Sequence, residues 1–391
     1  MIRLGVIGYG GRINSMIKRF RLEESELRVA GIVDPDEKGA RSRLDENDRK
    51  DAAFYPTVDE MVRKGGLDAL AIGTRCDLHA PYAMEAARYD LPLFLEKPVA
   101  TSLKQAQGLE KAFQKSRCEA AVSFPLRVSP LCRLAGNLIK EGAAGSPEHI
   151  AAVNYVPYGT CYFDLWYRDF KITQGLFFQK ATHDFDYMSF LMGSDIVRVA
   201  AMANYGRVFG GRKPGGLTCS KCREQDTCLE SPQNRKRNGY ETGGWDKDHG
   251  CTFGRDCGSP ETGMNEDCSS ALVEFASGAH GVYTQVFFSR RDAAARGATV
   301  SGYHGTVGFD WYRNELKRVR HHAPFTDTIK ADGGMSHFGG DDELARDFIG
   351  LIRGKCKSRT PIETGIRSVH VCLAAKESAE TGRFVKVRRL C

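Results

Sequence analysis

The sequence predicts an α/β protein. A doubly wound parallel sheet is expected over residues 1–125, and an α+β domain on an open, largely antiparallel sheet over residues 126–391. Three observations predict this. Short apolar runs alternate with helical patterns from Ile2 to Phe124, the arrangement of strands joined by crossover helices. A glycine-rich turn, Gly8-Tyr9-Gly10-Gly11, closes the first apolar run. Beyond Phe124 the pattern changes to longer β-like runs with few helices between them, which fits antiparallel pairing.

Taken in order, Ile2–Ile7 reads as a first buried strand and Ser15–Arg21 as the helix after it. Leu27–Val33 is a second strand, stopped by Asp34-Pro35, and Asp59–Arg63 a short helix. Leu67–Ile72 is a third strand, His79–Tyr89 a helix, and Pro92–Leu95 a fourth strand. Leu103–Ser116 is helical and Glu119–Phe124 is again a strand. Runs this short and this apolar fit strands covered on both faces. A helix over Leu131–Glu141 ends at Gly142, and strands are expected at His149–Tyr158, Val197–Asn204, Ser270–Phe275 and His280–Ser289. Gly175–Met192 bears a helix, and Asp341–Ile352 and Ile366–Glu380 are amphipathic helices expected to return to the first domain. Residues 206–268 are rich in Gly, Cys and charge and lack periodicity, so they read as an insert braced by something other than a core.

A chain of 391 residues exceeds one ordinary core, so two domains are expected. No apolar run is long enough to span a bilayer, and the N-terminus passes straight into a strand pattern without a leader signature. The expectation is a cytoplasmic protein with no membrane partner. Net charge is +7, with small clusters at Arg235-Lys236-Arg237 and Arg388-Arg389. No nucleic-acid motif accompanies them, so nucleic acid is not an expected partner; an anionic small molecule would be drawn by the same field.

The glycine turn carries the first chemistry. Gly8 and Gly10 fit the first two positions of G-x-G-x-x-G; Ile13 stands at the third, with Gly11 displaced to the middle. Glycines there let backbone N–H groups approach a pyrophosphate at a helix N-terminus. Asp34, ending the second strand, is placed to accept from a ribose 2′-hydroxyl and to repel a 2′-phosphate. The expected cofactor is NAD rather than NADP; Arg12 is the feature that would argue the other way.

Glu96-Lys97-Pro98 follows the fourth strand, at the sheet end where doubly wound folds bind ligands. A lysine there can stabilise alkoxide character on a reacting hydroxyl, or accept its proton if burial lowers its pKa. In Gln179-Lys180-Ala181-Thr182-His183-Asp184-Phe185-Asp186, the residues Lys180, His183 and Asp184 share a helix face by spacing. A base must take the hydroxyl proton as hydride leaves, and histidine is suited to it. Nearby Tyr162-Phe163-Asp164-Leu165-Trp166-Tyr167-Arg168 offers Trp166 for stacking on a sugar and Arg168 for substrate or cofactor.

Six of the 13 cysteines lie between Cys219 and Cys268. Cys219-x2-Cys222 has zinc-knuckle spacing; Cys228 follows, and Cys251 is the first choice as fourth ligand, then Cys257 or His249. Structural zinc, free or disulfide-bonded thiols, and an iron–sulfur cluster are the alternatives.

These motifs, in this order, resemble the Gfo/Idh/MocA (glucose–fructose oxidoreductase / inositol dehydrogenase) family. Glu96-Lys97-Pro98 matches its Glu-Lys-Pro signature, whose lysine contacts substrate and nicotinamide. Gly73-Thr74-Arg75-Cys76-Asp77-Leu78-His79 is similar to its Thr-Pro-Asn-x-x-His loop, with Thr74 and His79 kept. Arg127 falls where the family often has an arginine facing the cofactor, although Pro125 stands at its asparagine position. His183 and Asp186 match Asp-x-Gly-x-His-x-x-Asp, while Gln179 replaces the first Asp and Lys180 looks like a lysine variant of that site. The resemblance resumes at His337-Phe338-Gly339-Gly340-Asp341.

The resemblance implies a Rossmann domain and a catalytic set of Lys97, Lys180 and His183. Gly8, Gly10, Gly11, Arg12, Ile13, Asp34, Thr74, His79, Glu96, Lys97 and Arg127 fall on the cofactor side, and Trp166, Arg168, Gln179 and Asp186 on the substrate side. It further implies a homodimer or homotetramer. The expected activity is NAD-dependent oxidation of a secondary hydroxyl of a sugar, glycoside or cyclitol. An NAD-dependent glycosidase working through transient oxidation, and a non-catalytic NAD sensor, are the alternatives.

Overall fold

The computed structural model describes residues 1–239, 250–258, 263–331 and 336–390. Six parallel strands form the first sheet: β1 (Ile2–Ile7), β2 (Leu27–Val33), β3 (Ala53–Phe54), β4 (Ala69–Ile72), β5 (Leu93–Leu95) and β6 (Ala120–Val122). Their order is β3-β2-β1-β4-β5-β6, so the chain reverses direction across the sheet between β1 and β4, where such folds bind ligands. The helix Gly11–Glu23 follows β1 and buries Ile13, Met16, Ile17 and Phe20, one stripe at helical spacing.

The second sheet has nine strands: β7 (Pro147–Tyr155), β8 (Ile196–Asn204), β9 (Cys268–Phe275), β10 (His280–Val286), β11 (Ala295–Gly302), β12 (Gly305–Asp310), β13 (Glu315–Arg320), β14 (Thr326–Lys330) and β15 (Val385–Lys386). The order is β14-β13-β12-β11-β7-β10-β9-β8-β15. Among the described strands of this sheet, only the β7–β10 pair is parallel. The helices Thr182–Met192 and Ile362–Thr381 pack on this sheet; Ser378 Oγ accepts from Ala201 N of β8 at 2.8 Å. The helix Gly340–Ile352 returns to the first sheet, where Phe348 lies 5.0 Å from Phe20 and 5.5 Å from Phe94 between ring centroids. One buried apolar cluster runs from Leu95, Val99 and Val122 through Phe177 and Val369 to Val300 and Trp311, so the two sheets share a core.

The structure differs from the sequence reading in several elements. A two-residue strand, Ala53–Phe54, intervenes, so the strand entering Glu96 is the fifth rather than the fourth. Four strands, β11–β14, continue the second sheet beyond the expected runs. Their signal is weak because β13 reads Glu-Leu-Lys-Arg-Val-Arg and β14 is almost wholly exposed. Val156–Tyr158 leaves the strand, and the chain turns instead into the short helix Cys161–Asp164.

Candidate functional site

The glycine turn is shaped by what a side chain would strike. Gly8 has φ +77°, and a Cβ there would lie 2.7 Å from Thr74 N. Gly10 precedes the helix in extended conformation, and Asn14 N makes the bond to Gly10 O (3.1 Å) that starts its ladder. A Cβ on Gly11 would meet nothing within 4 Å. The helix N-terminus therefore opens onto free space, a cradle suited to pyrophosphate. Ile13 stands where the motif has a third glycine, and the facing residue is glycine instead: a Cβ on Gly73 would lie 2.5 Å from Ile13 Cβ. Close helix–strand approach is kept by moving the glycine to the other partner.

Asp34 accepts from Tyr9 N (2.7 Å) and Asp36 N (2.8 Å), which fixes its carboxylate at the end of β2. Arg12 points away from it. Its Nε donates to Glu96 (2.9 Å), both terminal nitrogens donate to Asp341 (2.8 Å), and one also reaches Ser123 Oγ (3.1 Å). Burial alone would raise the Asp341 pKa, but Arg12 and His337 beside it hold the carboxyl well below the usual range. Arg43 reaches the same turn: its Nε donates to Tyr9 O at 2.8 Å and its Nη2 stands 4.0 Å from Asp36.

At the end of β5, Lys97 precedes a cis peptide to Pro98 and donates to Gln179 O at 2.7 Å. Burial, reinforced by nearby Lys180, lowers its pKa to about 8. His79 bridges the same corner: its ring nitrogens lie 2.8 Å from Pro98 O and 3.1 Å from Thr74 O. Thr74 and His79 thus brace the loop after β4 against the lysine turn.

Lys180 lies in a π-helical turn, Phe177–Ala181, and the α-helix begins only at Thr182. Such turns occur often at functional sites. The expected single face of Lys180, His183 and Asp184 is therefore corrected. Asp184 turns to the second sheet, where it binds Arg296 (2.8 Å), Tyr283 (3.1 Å) and Asn154 (3.2 Å). Lys180 Nζ donates to Tyr158 Oη at 2.9 Å, and burial, then the charge of Arg296, lowers its pKa to about 7. His183 is 4% exposed, and its Nδ1 has no hydrogen-bond partner. Burial, then the charge of Lys97, drives its pKa well below the ordinary value, so the ring is neutral. His337 stands 6.3 Å from it, ring to ring, with Nδ1 3.0 Å from Asp341. Hydrogen bonds link Arg12 of the helix after the glycine turn through Asp341 to His337, and His183 stands beside the end of that chain.

The expected substrate residues divide. Gln179 joins the cluster: its backbone oxygen receives Lys97, and its Oε1 lies 3.1 Å from Cys76 Sγ. Trp166 stacks on Tyr167 at 3.9 Å and under the Arg75 guanidinium at 3.9 Å. Arg168 is bound to Asp256 of the insert. Asp186 pairs with Arg127 at 3.0 Å, and burial raises its pKa to about 6 against that pairing. Both line a cavity with Phe190, Arg367 and Arg388 to which Lys97, Lys180 and His183 do not contribute. Sequence reasoning missed His337, Asp341, Tyr158 and Arg296 as members. The i, i+4 spacing of His337 and Asp341 was the available signal.

In the insert, Cys219, Cys222, Cys228 and Cys251 line one narrow cavity, and all four are free thiols. Cys257 faces elsewhere and donates to Phe163 O at 3.1 Å. His249 lies outside the described residues. Among the described residues no three His, Cys, Asp or Glu side chains stand ready to hold a metal ion, and no helix is long and apolar enough to cross a membrane.

Residues 2–124 match the family model described as "Oxidoreductase family, NAD-binding Rossmann fold" (GFO_IDH_MocA), and residues 132–308 match "GFO/IDH/MocA C-terminal domain". The YteT protein of Bacillus subtilis (strain 168) is 26% identical over 229 residues, 55% of this chain and 52% of its own length. The inositol 2-dehydrogenase of Rhizobium meliloti (strain 1021) is 24% identical over 206 residues, covering 52% of this chain and 58% of its own. The chain thus spans about half the length of these curated relatives. A solved structure described as levoglucosan dehydrogenase in complex with NADH and levoglucosan superposes with TM-score 0.76 at 17% identity, over 99% of this chain and 100% of that one. An oxidoreductase domain protein from Kribbella flavida gives 0.79 at 16% identity, over 99% of each chain. At such identity these two establish the fold alone.

Proposed function

The chain belongs to the GFO/IDH/MocA oxidoreductase family, and from that premise we propose that it is a cytoplasmic NAD-dependent dehydrogenase acting on a secondary hydroxyl of a sugar, glycoside or cyclitol. The observation that carries this reading is the meeting of Lys97, Lys180 and His183 beside the hydrogen-bonded chain that leads back to Arg12 and the Gly8–Gly11 turn. Bound NAD supplies the hydride acceptor. The open face at Gly11 and the amides after Gly10 would hold its pyrophosphate. Asp34 would receive the ribose hydroxyl, which favours NAD over NADP because Arg12 is committed to Glu96 and Asp341. His183, kept neutral by burial and by the charge of Lys97, takes the substrate hydroxyl proton. Lys97 donates to the oxygen as negative charge grows there. Lys180, held by Tyr158, binds the substrate and adds to the positive field that Lys97 leads at His183. Trp166 and Arg75 form one wall for a sugar face.

A second reading rests on the two amines. Lysines titrating near 7 and 8 beside a neutral histidine supply more proton carriers than one dehydrogenation needs. They would suit a glycosidase that oxidises, eliminates, hydrates and reduces in turn, with no net change in NAD.

Incubation with NAD and a panel of polyols, sugars and aryl glycosides separates the two. The dehydrogenase yields NADH in step with ketone, and His183→Ala lowers kcat by about 10²–10⁴-fold while NAD binding persists. Aglycone release without accumulated NADH would move the assignment to the glycosidase. Full turnover by His183→Ala would overturn both.

A further inference from the structure

The insert gathers four thiols. Cys219 and Cys222 share one turn, in which Cys222 N donates to Cys219 O at 3.2 Å. Cys228 follows on the next turn, with its N–H on Glu224 O at 2.8 Å. Cys251 is brought alongside by the Thr218–Gly250 bridge and by its own N–H on Leu217 O at 2.8 Å. Its turn has the same form as the first: Gly254 N donates to Cys251 O at 2.9 Å. The Phe253 N–H is also directed at the Cys251 sulfur. All four side chains line a cavity of about 10 Å³, room for one small sphere.

The surroundings carry positive charge. Lys213 Nζ lies 3.6 Å from Cys222 Sγ. The guanidinium of Arg235 is 7% exposed and acts on Cys219; its Nε and Nη2 have no hydrogen-bond partner. Each cation also has a carboxylate partner, Glu224 at 2.8 Å from Lys213 and Asp164 at 3.6 Å from Arg235, and thiolates in the cavity would give both a second one. The segment also lacks a core: from residues 206–239 and 250–258, only Val208, Phe209 and Phe253 join its apolar cluster.

We propose that Cys219, Cys222, Cys228 and Cys251 bind one zinc ion. Each thiol releases its proton to solvent, four thiolates bond the divalent ion, and the complex carries two negative charges that Lys213 and Arg235 offset. Binding draws the four sulfurs inward from positions that are not ligating as they stand. The ion ties the insert to the segment bearing Trp166, because Gly250 N donates to Asp164 O (3.0 Å) and Glu230 binds Arg290 (2.8 Å) and Thr160 (2.6 Å).

Elemental analysis of the purified full chain tests this directly. One zinc per chain is expected, lost in Cys219→Ser and Cys222→Ser and kept in Cys356→Ser, whose thiol is exposed and far along the sequence. Two measurements need no variant. Cobalt(II) added to chelator-stripped protein gives the intense absorption of tetrahedral thiolate coordination. Zinc shields four thiols from alkylation until a chelator is added. Absence of stoichiometric zinc, iron in its place, zinc retained by the Cys219→Ser/Cys222→Ser double variant, or disulfides among the four would each overturn the proposal.

Discussion

Burying an amine disfavours its charged form, and Lys180 is 5% exposed with its hydrogen bond spent on a phenol. Its pKa of about 7 in the folded chain lies below the ordinary 10.5. Between those values the unfolded chain holds a proton that the folded chain has released, so stability rises with pH across the window and levels off above it. Replacing the amine by an apolar group of similar length removes that dependence. Lys180→Met is expected to stabilise the protein at pH 7 by roughly 1–4 kcal/mol, the range for replacing buried charge with a fitting apolar side chain. The gain should shrink toward pH 10, as read by urea unfolding at both pH values, and activity should fall. Equal or lower stability of Lys180→Met at pH 7 would mean that the amine is better solvated than its burial indicates.

At the scale of elements, the glycine turn separates folding from binding. At Gly73 a Cβ would strike Ile13, so Gly73→Ala should lower the thermal midpoint, and Ile13→Gly in the same chain should restore much of it. Gly11→Ala should leave the midpoint nearly unchanged, within about 0.5 kcal/mol as for other unopposed positions, yet weaken NAD binding measured by calorimetry. A Gly11→Ala protein with full NAD affinity would place the pyrophosphate elsewhere. The turn itself was legible in the sequence, because Gly8 and Gly10 follow a run, Val6-Ile7, that can only be a buried strand end. The compensation at Gly73 was not, since it depends on which residue faces Ile13 across space. Likewise the Lys97 corner could be read from an apolar strand closed by Pro98, whereas the π-helical turn at Phe177–Ala181 leaves no mark in residue spacing. Asp184 shows the cost of reading helix faces from numbers alone: its partner, Arg296, lies 112 positions away in the sequence.

For the whole molecule, the second sheet has one face that no helix of the described residues covers over its central strands. A cross-strand row there runs Ala200, Leu272, Val282, Ala151 and Thr299 through paired registers. Leu272 is 51% exposed and Met202 80%, more apolar surface than an isolated sheet face usually shows. We propose that a second copy of the chain covers it. Sedimentation should report a dimer or tetramer, and Leu272→Lys should shift it toward monomer while far-ultraviolet dichroism stays the same; a wild-type monomer at micromolar concentration would sink the idea. The Arg12 clamp has a different reach. Arg12 belongs to the first turn the ribosome makes, but the carboxylate that completes its cage is Asp341, 329 positions later. At ordinary rates of synthesis that is a wait of roughly 15–65 s. Through that time the nascent pocket has only Glu96 and Ser123 to steady the guanidinium, so a chain cut short before Asp341 would carry the nucleotide motif intact and still lack its keystone.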